Sequence, residues 1–129
     1  MKKNKAFSLI ELLIVLAIIG IVSAISFPMY SQYVIKSQRL EAAVSLNKLA
    51  VAMEQYATLH QTYEGATLEN IGWKDLLTAY DLQILIATRS EFKLVASPKK
   101  TEQHCGRLIL DSQGIFSSSG VGDFKECWS

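Results

Sequence analysis

The stretch AFSLIELLIVLAIIGIVSAISFP, residues 6–28, decides how the rest of this chain is organised. Between residues 7 and 27 its only polar side chains are Ser8, Glu11, Ser23 and Ser26. As a helix, about 21 residues rising ~1.5 Å each would reach roughly 31 Å, the thickness of the hydrocarbon core of a bilayer. The sequence therefore predicts a helix that spans a membrane.

The charges around this stretch predict its orientation. Lys2, Lys3 and Lys5 precede it, and no comparable cluster of cations follows immediately. Positive residues mark the cytoplasmic side, so the N-terminus is expected in the cytoplasm and the C-terminal part outside. Removing these three lysines from the thirteen basic residues leaves ten against twelve acidic ones. That balance is not by itself the composition of a nucleic-acid-binding protein.

An ordinary secretory signal peptide is the alternative interpretation of this stretch. Val22, Ser23 and Ala24 form an acceptable cleavage site, which would make Ile25 the first mature residue. The apolar run is longer than a usual signal core, however. It also contains Glu11, and a charge inside a membrane helix costs about 2.5 to 3.5 kcal/mol on insertion scales. Both observations favour the retained helix.

Glu11 is therefore a candidate functional residue. If the chain were cut between Ala6 and Phe7, the new amine of Phe7 would be a cation one helical turn from this carboxylate. The unpaired N–H groups of a helix N-terminus also stabilise a nearby anion. The amine that pairs with Glu11 could belong to the same chain or to a neighbouring subunit, and the sequence leaves both alternatives open.

Beyond Pro28 the apolar residues narrow to one helical face. They recur at steps of three and four from Leu40 to Ala57, which predicts one long helix over residues 7–59. Leu46, Leu49 and Met53 are expected to pack in a core. Pro28 lacks a backbone donor, so together with Gly20 it marks the place where this helix is expected to loosen during assembly.

Residues 6–28 resemble the N-terminal signature of type IV pilins, and YVIKSQRLEAAVSLNKLAVAMEQYATLHQTYEGATLENIG resembles the next part of type IVa, PilE-like pilins. The resemblance implies a prepilin leader (residues 1–6), a hydrophobic transmembrane and filament-core helix (residues 7–30) and a head (residues 31–129). It implies cleavage between Ala6 and Phe7 and N-methylation of Phe7. Glu11, Gly20 and Pro28 become assembly residues. The family usually carries Gly before the cut, where this chain has Ala6.

The same resemblance implies a function and a location. The chain would insert in the bacterial inner membrane and then polymerise into an extracellular pilus for adhesion, twitching motility or DNA uptake. Its partners would be other pilins, the prepilin peptidase and methyltransferase, and the inner-membrane assembly platform. A minor pilin is preferred because the head is small. A major pilin and a pseudopilin of type II secretion are the alternatives.

The head is expected to add a small antiparallel sheet to the long helix, which makes the fold class α+β. FKLVAS, RLILD and IFSSS carry strand signals, and Phe92, Leu94 and Ala96 alternate as in a strand with one buried face. WKDLLTAYDL, residues 73–82, is predicted to form a short helix. Its residues expected to face inward are Trp73, Leu76, Leu77 and Tyr80.

Cys105 and Cys127 flank the last two predicted strands. In an exported domain such a pair is expected to oxidise, which would stabilise the head by about 3 kcal/mol in the chain-entropy model. Metal binding, with His104 beside Cys105, is the competing interpretation. The resemblance to PilE-like pilins implies a C-terminal disulfide, and it disfavours a pseudopilin.

No catalytic motif or cofactor fingerprint occurs in the sequence, so we expect a protein that is modified by enzymes and is not one. A DNA-binding head is a second hypothesis, with Lys99, Lys100, Arg107 and Lys125 as candidate phosphate contacts. Residues 89–129 contain six basic and five acidic residues. This near balance favours a solvated surface over a DNA site.

Overall fold

The computed structural model describes residues 6–128, and these contain two helices and four strands. Helix α1 is Leu9–His60 and helix α2 is Phe124–Trp128. The strands are β1 (Tyr80–Ala87), β2 (Phe92–Pro98), β3 (Leu108–Asp111) and β4 (Phe116–Ser118). The chain divides into two compact units, one ending at Ile35 and one beginning at Lys36. Most of the predicted leader lies outside the described residues.

The N-terminal unit consists mainly of the first half of α1. Helix α1 is long and apolar enough to cross a membrane by length and composition, and the side chains of its most apolar window are exposed. The helix begins at Leu9, two residues later than predicted, and it continues through Pro28. The predicted loosening between Gly20 and Pro28 concerns the assembled state, and it stays a prediction.

The second half of α1 supplies one side of the core of the C-terminal unit. Leu46, Leu49 and Met53 are fully buried, as their spacing predicted. Leu40 and Val44 are about half exposed, so the buried face is narrower than the apolar pattern suggested.

The four strands form an antiparallel sheet in the order β1-β2-β3-β4. Leu94 of β2 pairs with Leu110 of β3, and Leu110 pairs with Phe116 of β4. Leu94 and Leu110 belong to the same buried cluster as Leu46, Leu49 and Met53 of α1. The predicted α+β arrangement of a long helix on a small antiparallel sheet is therefore confirmed.

The predicted short helix at residues 73–82 is wrong. This segment is irregular up to Ala79, and the strand β1 begins at Tyr80. The Asp75 carboxylate accepts hydrogen bonds from the backbone N–H groups of Leu77 (3.0 Å) and Leu82 (3.4 Å). Such side-chain acceptors compete with helical hydrogen bonds, and here they favour a turn. Trp73, Leu77 and Tyr80 do contact the core, but Leu76 is 85% exposed.

Candidate functional site

The predicted assembly carboxylate lies at the first turn of α1, where it caps the helix. Glu11 Oε2 accepts a hydrogen bond from the backbone N–H of Ser8 (3.4 Å). The Ser8 hydroxyl accepts one from the backbone N–H of Glu11 (3.3 Å). This reciprocal pair is a capping box, which satisfies backbone donors that a helix start leaves unpaired. The capping box uses one carboxylate oxygen, Oε2, and the Glu11 side chain is exposed.

Ala6, Phe7 and Glu11 are all exposed, with Phe7 79% exposed. A processing enzyme could therefore reach the Ala6–Phe7 bond in the described chain. Further along the unit, the hydroxyl of Ser23 donates to the Ile19 carbonyl (2.7 Å). This bond pairs the hydroxyl with a backbone carbonyl one turn earlier in the same apolar helix.

The antiparallel topology collects most of the predicted DNA contacts at one end of the sheet. In an antiparallel meander the end of β2, the start of β3 and the end of β4 lie at the same edge. Lys99 and Lys100 follow β2 directly, and Arg107 immediately precedes β3. We call this edge the loop end, and we define the loop that joins β2 to β3 as residues 99–107. Arg89, in the β1–β2 turn, and Lys93 lie at the opposite edge.

These cations differ in how far they are engaged within the chain. The Lys99 ammonium donates to the Leu77 carbonyl (3.3 Å) and lies 3.6 Å from an Asp81 carboxylate oxygen. Lys100 is exposed, and so is Arg107, whose backbone N–H donates to the Ser119 hydroxyl (2.8 Å). Across residues 6–128, neither the Lys100 ammonium nor the Arg107 guanidinium forms an ion pair. Lys125 lies on α2 and is exposed.

A poorly exposed ion pair links α1 to the loop of residues 99–107. Arg39 Nη2 donates to Glu102 Oε1 over 2.7 Å, and the two side chains are only 13% and 16% exposed. The backbone N–H of Cys105 donates to the same oxygen (3.2 Å). Burial by itself raises the pKa of Glu102, but the hydrogen bonds from Arg39, Cys105 and Gly106 outweigh it and hold the pKa below 4.5.

Tyr80 lies close to this pair and is itself buried. Burial raises the pKa of its hydroxyl, and the charge of Glu102 adds to the shift, while Arg39 opposes it. The start of β1, the loop of residues 99–107 and α1 therefore meet around one carboxylate and one guanidinium.

The predicted disulfide is present. Cys105 and Cys127 are bonded, with their Cα atoms 5.6 Å apart, and both are buried. The neighbouring His104 ring lies 2.8 Å from the Glu126 carboxylate. The bonded thiols are no longer metal ligands, and within the described part of the chain no three His, Cys, Asp or Glu side chains form a metal site. The disulfide therefore contradicts the competing interpretation of Cys105 and Cys127 as metal-binding thiols.

Residues 119–122, which follow β4 and precede Cys127, pack closely against residues 104–107. The backbone N–H groups of Gly120 and Gly122 donate to the Cys105 carbonyl (2.9 Å) and the His104 carbonyl (2.6 Å). A Cβ at Gly120 would lie 2.6 Å from the Cys105 carbonyl carbon, so only glycine fits without a shift. The β3–β4 pairing thus continues past the strands and holds the loop end together.

Three features of the site were not predicted from the sequence. The capping box was readable, because Ser8 and Glu11 have the required spacing before an apolar run. The Arg39–Glu102 pair joins positions far apart in sequence, and no local pattern indicates it. Lys74 lies in the segment whose Leu77 carbonyl receives Lys99, but that segment was predicted to be a helix.

Comparison with known proteins gives the class first. In a solved structure, the non-core minor pilin PilV of Neisseria meningitidis aligns with 72% of this chain and 95% of its own, with a TM-score of 0.56 and 19% identity. At that identity the likeness shows the fold alone, which is the predicted type IV pilin fold. The prokaryotic N-terminal methylation motif also matches residues 1–27.

Relatives by sequence carry pilin names. The chain is 46% identical over 54 residues to a fimbrial protein of Pseudomonas aeruginosa, covering 42% of this chain and 35% of that protein. It is 44% identical over 77 residues to the type IV major alpha-pilin of Moraxella bovis, covering 56% and 48%. A probable minor fimbrial protein of Dichelobacter nodosus is 42% identical over 55 residues, covering 43% and 35%. The chain thus spans about a third to a half of the length of these relatives.

The family model described as "Type IV minor pilin ComP, DNA uptake sequence receptor" matches residues 28–109, which is more than half of the chain. The chain belongs to this family of type IV minor pilins.

Proposed function

We propose that this chain is a minor subunit of a type IV pilus whose head binds double-stranded DNA during uptake. The family match over residues 28–109 carries the proposal, since the family is described as a receptor for DNA uptake sequences. The loop end supports it with exposed cations from the loop of residues 99–107, Lys100 and Arg107.

The assembly part of the proposal follows the N-terminal segment. Residues 1–6 are the leader, and cleavage after Ala6 exposes the amine of Phe7, which is then methylated. Residues 7–30 span the inner membrane once, with the N-terminus in the cytoplasm, and later enter the filament core. Prepilin peptidase, the assembly platform and other pilins are the partners. Glu11 then accepts the amine of a neighbouring subunit on the carboxylate oxygen that the capping box does not use.

The charge balance that favoured a solvated surface changes once the contacts are known. Glu102 is one of the five acidic residues in residues 89–129, and its partner Arg39 lies outside that range. The carboxylate is compensated by a cation that the local count leaves out. Lys100 and Arg107 thus face solvent with less opposing charge than the composition indicates, and phosphate contacts depend on such charges.

Lys99 and Lys125 have lesser parts in this interface. The Lys99 ammonium is already held by Leu77 and Asp81, so it contributes less to phosphate binding than Lys100 does. Lys125 presents its charge from α2, two residues before the disulfide-bonded Cys127. Lys74 is a further candidate, because the Lys99 contact places its segment beside the loop of residues 99–107.

Charge removal at the loop end tests the DNA-binding part. A Lys100→Ala/Arg107→Ala variant of the mature chain in detergent would be titrated against labelled DNA duplexes of mixed sequence. Removing a single phosphate interaction is expected to weaken binding about fivefold near 0.15 M salt and to reduce the salt slope by about 0.9. The double variant should therefore bind about thirtyfold more weakly.

The matched control is Arg89→Ala/Lys93→Ala, which removes the same charge at the opposite edge of the sheet. It should reduce affinity much less, because only the long-range field changes. Equal losses in the two variants, or DNA binding unaffected in both, would contradict a DNA site at the loop end. In cells, the loop-end variant should still appear in pili while DNA retention falls.

A further inference from the structure

The Arg39–Glu102 ion pair involves a residue that lies, in sequence, between Lys100 and Arg107, the two exposed cations of the loop of residues 99–107. Glu102 follows Lys100 by two residues and precedes Arg107 by five. Its Oε1 joins the helix, through Arg39 Nη2, to the loop backbone, through the N–H of Cys105. The side chain thus fixes the loop at a point that lies, in sequence, between the residues proposed to meet DNA.

The rest of this loop is tied down at its two ends. The backbone N–H of Lys99 donates to the Ala79 carbonyl (2.9 Å), next to the start of β1. Cys105 is bonded to Cys127, and Arg107 is held by Ser119. Residues 100–104 have no helix or strand hydrogen bonds. Within this segment the Glu102 side chain links the loop to α1, and the His104 ring contacts the Glu126 carboxylate of α2.

We propose that Arg39 and Glu102 are positioning residues for DNA binding, which hold Lys100 and Arg107 at a fixed separation without touching DNA. This inference rests on the proposed function for its DNA readout. Its physical basis is preorganisation, because a loop already fixed in its bound conformation loses less entropy when it binds. Arg39 also compensates a carboxylate that would otherwise repel phosphates next to Lys100.

The pair can be removed without changing the net charge. An Arg39→Met/Glu102→Met variant replaces two poorly exposed charges by apolar side chains of similar length, an exchange that folds tolerate when both partners are replaced. Every exposed cation of the loop end stays in place. The control is Tyr63→Phe, which removes the hydrogen bond from the Tyr63 hydroxyl to Glu54 (2.9 Å). Tyr63 packs on Phe92, at the opposite edge of the sheet.

Two measurements on the mature chain in detergent test the inference. Without DNA, the backbone NMR order parameters of residues 100–104 should fall from about 0.85 to below about 0.6 in the double Met variant, while those of the core strands stay near 0.85. With labelled duplexes, affinity should fall about fivefold and the salt slope by about 0.9, as if one phosphate interaction had been removed. Tyr63→Phe should leave both readouts unchanged. The single variant Arg39→Lys keeps Glu102 and a charged donor, so it should retain part of the affinity that the double Met variant loses.

The outcomes separate this inference from the proposed function. If the wild-type chain binds no duplex, the DNA function fails, yet lower order parameters confined to residues 100–104 would still establish that the pair orders the loop. If the double Met variant shows wild-type order parameters in this segment, the positioning role is wrong whatever the DNA result. A loss of thermal stability with unchanged affinity and salt slope would likewise overturn it, since that is what a purely structural pair would give.

Discussion

At the scale of single residues, Glu11 has two roles that can be separated. Its carboxylate caps α1 by accepting a hydrogen bond from the Ser8 backbone N–H, while its own backbone N–H donates to the Ser8 hydroxyl. This role needs an acceptor oxygen on the side chain but no charge. The proposed pairing with the amine of a neighbouring subunit needs a negative charge. Glutamine serves in a capping box as glutamate does, so one substitution keeps the first role and removes the second.

We therefore expect Glu11→Gln to leave membrane insertion and leader cleavage close to wild type while it impairs assembly. An uncharged side chain also costs less to insert than a charged one, which costs up to about 2.5 to 3.5 kcal/mol on insertion scales, so insertion should not suffer. Immunoblots of membrane and sheared-pilus fractions would measure both effects in one culture. Normal amounts of the variant in pili would show that the charge has no part in assembly.

The position before the cut is the other residue that can be tested on its own. Cleavage between Ala6 and Phe7 is part of the proposal, and the resembling family usually has glycine at that place. Within the described residues 6–128, both Ala6 and Phe7 are exposed. The distinction between this cut and a signal-peptide cut before Ile25 rests on the mature N-terminus.

At the scale of elements, the sequence predicted α1, β2, β3 and β4, and it failed at β1 and at the short helix α2. The predicted elements have strong periodicity, such as Leu46, Leu49 and Met53 in the helix and Phe92, Leu94 and Ala96 in the strand. β1 is an edge strand with a bulge between Ile84 and Ile86, which interrupts its alternation. Its first residues also fit a helical pattern, and the Asp75 turn decided against that pattern.

Much of the candidate site was predictable, and the reasons are local. Ala6, Phe7 and Glu11 belong to one short signature, and the two cysteines can be paired because no other cysteine exists. The loop end was not predictable as a surface, since its cations meet only through the antiparallel topology. The Arg39–Glu102 contact joins α1 to a loop that has no pattern of its own, and only tertiary packing shows it.

The packing of α1 in the C-terminal unit gives a prediction at this scale. Leu49 is fully buried, and Val51 on the same helix is 57% exposed. We expect Leu49→Ala to lower the free energy of unfolding by about 2 to 5 kcal/mol, because it removes core packing and leaves a cavity. Val51→Ala should change it by less than about 0.5 kcal/mol. Chemical denaturation of the mature chain in detergent would measure both, and similar losses would contradict the assigned buried face.

At the scale of the whole molecule, stability and charge are linked through Glu102. Burial acts to raise the pKa of this carboxyl, but the hydrogen bond from Arg39 and those from the loop backbone outweigh burial and lower the pKa in the folded chain. A lowered pKa means that the folded state favours the ionised form. The resulting stabilisation is fully present above the unfolded value near 4.5 and is lost as the pH falls through the folded value.

The expected result is a difference between wild type and Glu102→Gln that depends on pH. The wild-type chain should be the more stable at pH 6, and this advantage should shrink as the pH falls below about 4.5. Thermal unfolding at a series of pH values would follow it, with Val51→Ala, which removes neither a charge nor a hydrogen bond, as a variant whose difference stays constant over the same range. A constant difference between wild type and Glu102→Gln would show that the ion pair does not contribute to acid sensitivity.

The whole chain combines a long apolar helix with a head that offers exposed cations at the loop end. Its family is that of type IV minor pilins, and its fold is the pilin fold. The proposed DNA capture needs only occasional exposed heads along a filament, so a subunit of low abundance is enough for it. Incorporation into the filament is the step on which every other part of the proposed function depends.

Quantitative mass spectrometry of sheared, purified pili tests that step most directly. We expect this chain to be a small fraction of the total pilin, and we expect its N-terminal peptide to begin with N-methylated Phe7. Absence from purified pili, dominance over every other pilin, or an N-terminus at Ile25 would contradict this expectation.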